Sequence, residues 1–339
     1  MDTLQTRTLD ADDFFRQPTP EKKIAFLLQY AVLAPSTHNS QPWRFKVRES
    51  ACDIMVHDEH PIVHADPLGR DLFISFGCLI ENLAIAARAF GVLGTISYID
   101  RHPLIATVTF DFSAQKKDPS LLPVLTAIPR RVNARGLFEK DPIDAESWDT
   151  FERLPITDGL HRHFLKTPAE MATIAELTRQ GLLMAYRNKK FRKEMAAWFN
   201  NGLSKKPTGI PSYSLRMPLP LSFVFPWLVR TFDVGKRLGS LNAISINSAP
   251  AAMVITASEN SKRHWLKTGR FAEQFVLQAN MRGCKTSFFT AAIEMGELYK
   301  DIQKLLQTNE IPQFIVVFGA LHFDQKPNLR HSAESKIIK

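Results

Sequence analysis

Cysteine is scarce in this 339-residue chain: Cys52, Cys78 and Cys284 are its only three. An odd number at wide spacing excludes a disulfide framework and a zinc-binding spacing, and fits a reducing, cytoplasmic setting. Cys78 and Cys284 sit in apolar, helix-like stretches and read as core packing. No dense basic tract occurs, although 43 Lys and Arg against 34 Asp and Glu give a net charge of +9. The excess favours anionic ligands, but its spread along the chain gives no nucleic-acid footprint. The longest apolar stretch, Pro218–Val229, is too short to span a bilayer and holds three prolines. The N-terminal "MDTLQTRTLDADDFFRQP" is acidic and lacks the apolar segment of a secretory signal. The expected ligand is therefore a small molecule, with no metal, no nucleic acid and no membrane partner; a weaker third reading, a basic nucleic-acid or membrane-surface protein, predicts salt-dependent binding to DNA or anionic lipid.

What is present includes a repeat. Gly77–Gly91, "GCLIENLAIAARAFG", maps without a gap onto Gly269–Gly283, "GRFAEQFVLQANMRG", at an offset of 192. Gly77, Glu81, Asn82, Leu83, Ala87 and Gly91 fall on Gly269, Glu273, Gln274, Phe275, Ala279 and Gly283. Both segments carry apolar residues at helical spacing and close on a glycine, the residue that stops a helix. Two unrelated amphipathic helices can share such a pattern, but the flanks agree as well. "TISYI" and the strand-like Ile105–Phe112 follow the first helix; "KTSFF" and Pro312–Ala320 follow the second. "RFKVRES" and "DIMVHDE" alternate like a hairpin before the first, and Ala249–Ser258 reads as a strand before the second. Each half thus reads helix, strands, long helix, strand, an α+β architecture built twice. Lys116–Pro123 is the expected join.

The halves differ where polar residues cluster. The first holds "PSTHNSQPW" after its opening helix; the second opens with "RRVNARGLF". Arg130, Arg131 and Arg135 offer forked donors suited to a phosphate, and Arg330 in "PNLRHS" can add to them. Ser36, Thr37, Asn39 and Gln41 offer hydroxyls and amides suited to a polar heterocycle. If the halves pack as a pseudo-dimer, one of two related clefts holds both sets, and a phosphorylated aromatic cofactor would suit it. Taken singly, "RRVNARGLF" is also the pattern of a solvated basic turn and "PSTHNSQPW" that of a capped turn.

"APSTHNSQPWRF" resembles the "APSxxNxQPWxF" signature of the FMN-dependent nitroreductase-like superfamily. "RRVNARGLF" resembles its basic phosphate-binding motif, and "SAPAAMVITASENSKRHWLKTGRFAEQFVLQANMRGCKTSFF" its central strand, Trp/Gly turn and long helix. The fused repeat is similar to the tandem, Acg-like branch, and the likeness runs from Pro18 to His331. It implies two three-layer α/β/α repeats, residues 18–115 and 124–331, forming a single-chain pseudo-dimer around one FMN. Arg131, Asn133 and Arg135 would contact phosphate and ribityl chain, with Arg330 closing the phosphate site. Ser36, Thr37, Asn39 and Gln41 would reach the flavin from the other half, and the backbone of Ala291 and Ala292 would face its N5 and O4 edge. Asn133 replaces the family's Ser or Thr, and Ala291-Ala292 stand where many reductases carry a glycine.

The resemblance implies an oxidoreductase taking reducing equivalents from NAD(P)H to a nitroaromatic or quinone, as a monomeric pseudo-dimer or a homodimer. The flavin carries that chemistry, so the chain needs no catalytic dyad. His38, the one titratable group in its loop, is a candidate proton donor. Residues 203–232 contain five prolines and no long period, and read as a long loop that forms a lid. A lid that stays shut would make the chain a flavin-sequestering protein instead.

Overall fold

The two matched helices form where the repeat puts them. The structure, a computed structural model, describes residues 9–338 apart from 58, 60 and 114. The first eight residues, which carry part of the expectation of no secretory signal, lie outside that range. Helix α1 (Pro20–Ala31) starts on a Thr19 hydroxyl that accepts from Lys22 N, with Pro20 at the first helical position. Strands β1 (Trp43–Arg48) and β2 (Ala51–Val56), helix α2 (Arg70–Ala89), and strands β3 (Leu93–Arg101) and β4 (Leu104–Phe110) complete the first half. Helices α3 (Leu122–Ala127) and α4 (Ala145–Arg153) lead to β5 (Leu160–Leu165). A long excursion follows through α5 (Pro168–Arg187), α6 (Lys189–Trp198), the short strands β6 (Phe199–Asn200) and β7 (Ile210–Pro211), α7 (Leu219–Thr231) and α8 (Gly235–Ser248). The chain then runs β8 (Ala251–Ala257), α9 (Lys262–Met281), β9 (Lys285–Phe289), α10 (Ala291–Glu294), α11 (Leu298–Leu306), β10 (Ile311–Gly319) and β11 (Ile337–Ile338). Past both repeat helices stands a glycine at positive φ, Gly91 at 67° and Gly283 at 78°, where a Cβ would be strained.

The fold is α+β, and its two main sheets share one strand order. The first runs β1-β2-β4-β3 and the second β5-β8-β10-β9, each with its long helix between second and third strand in sequence. All these neighbours are antiparallel, while β11, from the C-terminal end, adds parallel to β1. The whole α5–α8 excursion sits where the first half has the tight turn between Arg48 and Ala51.

The expected three layers hold for the second half only. Along β8, Met253 and Ile255 enter the core shared with α9, while Ala252 and Val254 enter a second core under α5 and α11. Apolar residues on both faces demand a cover on both. In the first sheet Trp43 and Phe45 point into the core, but Lys46 and Arg48 are exposed and Arg44 half-buried on the other face. That face is polar and carries no helix layer among the described residues. Residues 203–232 also depart from expectation, since they contain α7 rather than a continuous loop. Pro220 sits in the helix's first turn, where no N–H partner is needed, so proline there does not prevent helix.

Helices α2 and α9 cross at the repeat's own glycines. A Cβ added to Gly77 would lie 2.8 Å from Gly269 Cα and strike the Leu266 carbonyl. A Cβ on Gly269 would lie 2.9 Å from Gly77 Cα and strike the Ile74 carbonyl. Equivalent positions meet each other only on a two-fold axis. The neighbouring pairs repeat the relation: Glu81 accepts from Gln274 at 2.8 Å, and Asn82 faces Glu273. Gly269→Ala should therefore cost about 1–3 kcal/mol by forcing the backbones apart. Urea unfolding checks this, and an unchanged midpoint would show that the crossing tolerates a methyl group.

Candidate functional site

The loop after α1 is wound tightly. His38, Asn39 and Gln41 all have positive φ, at 52°, 58° and 53°. Three left-handed non-glycine residues in four positions store backbone strain, which packing elsewhere must offset. Ser36 Oγ accepts from Gln41 N at 2.9 Å and closes the loop on itself. The buried amides of Asn39 and Gln41 both donate to the Pro207 carbonyl at 2.8 Å. Asn39 also donates to Leu329 O at 3.2 Å, and Gln41 Oε1 accepts from His331 N at 2.8 Å. Both side chains thus fasten the excursion and the C-terminal segment to the loop. Gln41, expected to reach a ligand, spends its amide on these bonds and lines neither of the two pockets described below.

Residues after Arg130 run along β9. Ala134 N donates to Thr286 O at 2.6 Å, and Asn133 Oδ1 accepts from Phe288 N at 3.2 Å. Alternation in this extended segment gives Arg131, Asn133 and Arg135 a common side, while Ala134 packs into the core. Arg130 precedes the extended stretch and is exposed, away from the cavity. Arg131 pairs with Glu273 at 3.5 Å and donates to Leu33 O at 3.3 Å. Arg330 donates to Ala34 O at 3.2 Å. Both arginines are buried beside the end of α1.

These elements enclose a cavity of about 290 Å³ joined to a polar pocket of about 80 Å³. Ser36, His38, Asn133 and Arg135 line both. Arg131, Arg330 and Asn39 belong to the polar pocket; Thr37 and Ala291 belong to the larger one. Ala292 faces the core under α5 and lines neither. The larger chamber is walled by both halves and by Ile210, Leu215 and Phe225 of the excursion. Three guanidinium groups at one end and aromatic walls at the other suit an anionic group on a flat ring system. Burial depresses the Arg135 pKa, an energetic cost that an anion would relieve. Burial also lowers His38 to about 4, so its ring is neutral at neutral pH and holds no imidazolium proton to give.

The sequence reading missed an acidic cluster opposite the arginines. Asp71, Thr290 and Glu294 line the larger chamber, and Asp66 and Arg70 stand behind them. Arg70 pairs with Glu294 at 3.4 Å, and Thr290 Oγ1 donates to Asp71 Oδ2 at 3.1 Å. Burial raises Asp71 well above the usual carboxylate range, reinforced by Glu294 and Asp66. Burial raises Glu294 to about 7 against the opposing charge of Arg70. The stretch "FTAAIE" already contained Glu294; only its distance from Asp71 in sequence hid the pair.

The raised Glu294 has a consequence for stability. Unfolded, it releases its proton near 4.5; folded, near 7. Between these values the folded chain binds more protons, so its contribution to stability is full at low pH and falls as pH rises to about 7. Glu294→Gln should lessen the drop in melting temperature between about pH 5 and about pH 8. An equal drop in both proteins would place the source elsewhere.

No protein-family profile matches the chain. Over 301 residues it is 20% identical to "Putative NAD(P)H nitroreductase Rv3131" of Mycobacterium tuberculosis, spanning 86% of this chain and 83% of that one. It is 23% identical over 309 residues to "Putative NAD(P)H nitroreductase acg" of the same species, spanning 86% and 87%. Among solved structures, the FMN and NADPH-dependent nitroreductase NfnB from Sphigopyxis sp. strain HMH is 14% identical. That overlap spans 62% of this chain and 96% of the other, at a TM-score of 0.41. Each mycobacterial likeness spans more than four fifths of both chains. Along most of its length the chain is thus similar to mycobacterial proteins named as putative NAD(P)H nitroreductases, Acg among them.

Proposed function

We propose that this chain is an FMN-dependent oxidoreductase of nitroreductase type, with residues 18–115 and 124–331 forming a single-chain pseudo-dimer around one flavin. The observation that carries the reading is a cavity walled by both halves with Arg131, Arg135 and Arg330 at one end. The donor set fits FMN: guanidinium groups for the phosphate, Ser36 and Asn133 for the ribityl hydroxyls, aromatic walls for the ring system. His38 Nε2, Asp71 Oδ1 and Thr178 Oγ1 are buried at this cavity with no hydrogen-bond partner among the described residues, as a ligand site requires. Bound FMN supplies two-electron transfer from NAD(P)H to an electron-poor small molecule, such as a nitroaromatic or quinone. The protein's share is to fix the phosphate, exclude water with the excursion, and hold protons on the Asp71–Glu294 pair at the opposite wall.

One observation favours the second reading, flavin sequestration. The excursion is fastened, since Asn39 and Gln41 both hold the Pro207 carbonyl while Ile210, Leu215 and Phe225 wall the chamber. A lid closed in this way would keep flavin and bar nicotinamide.

Arg135→Ala should weaken FMN binding about 10- to 150-fold, the loss of one charge-assisted contact of about 1.5–3 kcal/mol. Arg130→Ala should leave it unchanged. Titration of the stripped protein with FMN checks both, and equal affinities would remove the phosphate assignment.

Anaerobic addition of NADPH to the FMN-loaded protein separates the two readings. Bleaching of the flavin band within a catalytic timescale supports the reductase. A band that resists NADPH and yields to dithionite supports sequestration.

A further inference from the structure

Helix α7 is built inside out. Its sequence is "LPLSFVFPWLVRT", yet its fully buried residues are Ser222 and Val229. Phe223 is 51% exposed, Val224 48% and Trp227 57%. With Pro220 and Thr231 these positions recur at helical spacing and make one outward stripe. Ser222 on the inner side donates to Leu219 O at 2.7 Å and accepts from Gly202 N at 2.9 Å. A helix that turns serine inward and tryptophan outward leaves its apolar surface for something other than this chain. Leu203 beside Gly202, and Leu241 and Ile244 on the following helix α8, are exposed as well.

The charge around the stripe says what would cover it. Residues 201–244 hold Lys205, Lys206, Arg216, Arg230, Lys236 and Arg237 against one acid, Asp233. More than half of the chain's net charge of +9 thus falls in these 44 residues. All six cations are exposed. Arg230 lies on α7, and Lys236 and Arg237 open α8 directly after it. Gly202 holds the loop bearing Lys205 and Lys206 against the other end of α7. A second copy pairing through the same face would set two strongly positive rims against each other. An anionic lipid surface meets both needs, since headgroups pair with the cations and acyl chains cover the aromatic stripe.

We propose that α7 and its basic rim dock this protein in plane on an anionic membrane surface. Thirteen residues containing Pro226 do not span a bilayer, so the helix lies at the headgroup boundary with its stripe about 5–10 Å deep. The expectation of no membrane partner came from the length of the apolar run, which excludes spanning and leaves surface docking open. The proposal stands independently of the flavin.

The test is flotation of the purified full chain with vesicles of phosphatidylcholine alone or of phosphatidylcholine with phosphatidylglycerol. Binding about tenfold or more tighter on the anionic vesicles, weakened by salt, is expected. Phe223→Ser with Trp227→Ser should abolish it, and Arg230→Glu with Arg237→Glu should remove the anionic preference. Far-ultraviolet circular dichroism confirms that the variants fold. Absence of flotation with either vesicle overturns the proposal. So does a wild-type dimer in gel filtration that the Phe223 and Trp227 substitutions split, because a second copy is then the occupant. Binding that survives both pairs of substitutions also overturns it.

Discussion

Two helices touch at their backbones because neither has a side chain at the point of contact. Gly77 against Gly269 fixes how close α2 and α9 approach, and every distance between the halves follows from it. Glu81 gathers Arg88, Arg270 and Gln274 within 2.8 Å on one side of the crossing. Glu273 takes Arg131 on the other. The same geometry brings the end of α1 against the Arg131–Arg135 strip, and the cleft exists only while that approach is held. A methyl group at the crossing would therefore be felt in the cavity as well as in the core.

The cleft is electrically lopsided. Guanidinium groups stand at its polar end, and Asp66, Asp71 and Glu294 share one arginine, Arg70, at the other. Buried charge is costly unless paired, so each end favours a different counterpart. The cationic end favours an anion, and the acidic end retains protons. Glu273, raised to about 7 by burial against the opposing effect of Arg131, Asn82 and Arg330, shows the same tension behind the cationic end. Such a site gains stability from what fills it.

Much of this was legible in the sequence because it depends on period and on glycine. The 192-residue offset gave both long helices, and Gly91 and Gly283 stand at positive φ past their ends. The strand runs at Ile105, Ala249 and Pro312 fall within a residue or two of β4, β8 and β10. Of the site residues, Arg131, Asn133 and Arg135 came from one short basic stretch and the resemblance it carries, and residues so close in sequence stay together in space. Gln41 holds a distant carbonyl and Ala292 faces the core, placements that a residue type alone does not indicate. Asp71 and Glu294 were hidden because more than 200 residues separate them. Helix α7 was masked by its prolines, of which Pro220 sits in the first turn and Pro226 inside the helix, and by an apolar stripe that faces outward.

Fusion has one more consequence. In a dimer of identical chains every substitution near the axis happens twice, and both clefts must accept it. In this chain the position facing Gly77 is encoded separately, so the two sides of the axis can change one at a time. The α5–α8 excursion is the visible product: it stands after β5 alone, while the matching place after β1 remains a two-residue turn. One half could thus be elaborated while the other kept its short turn.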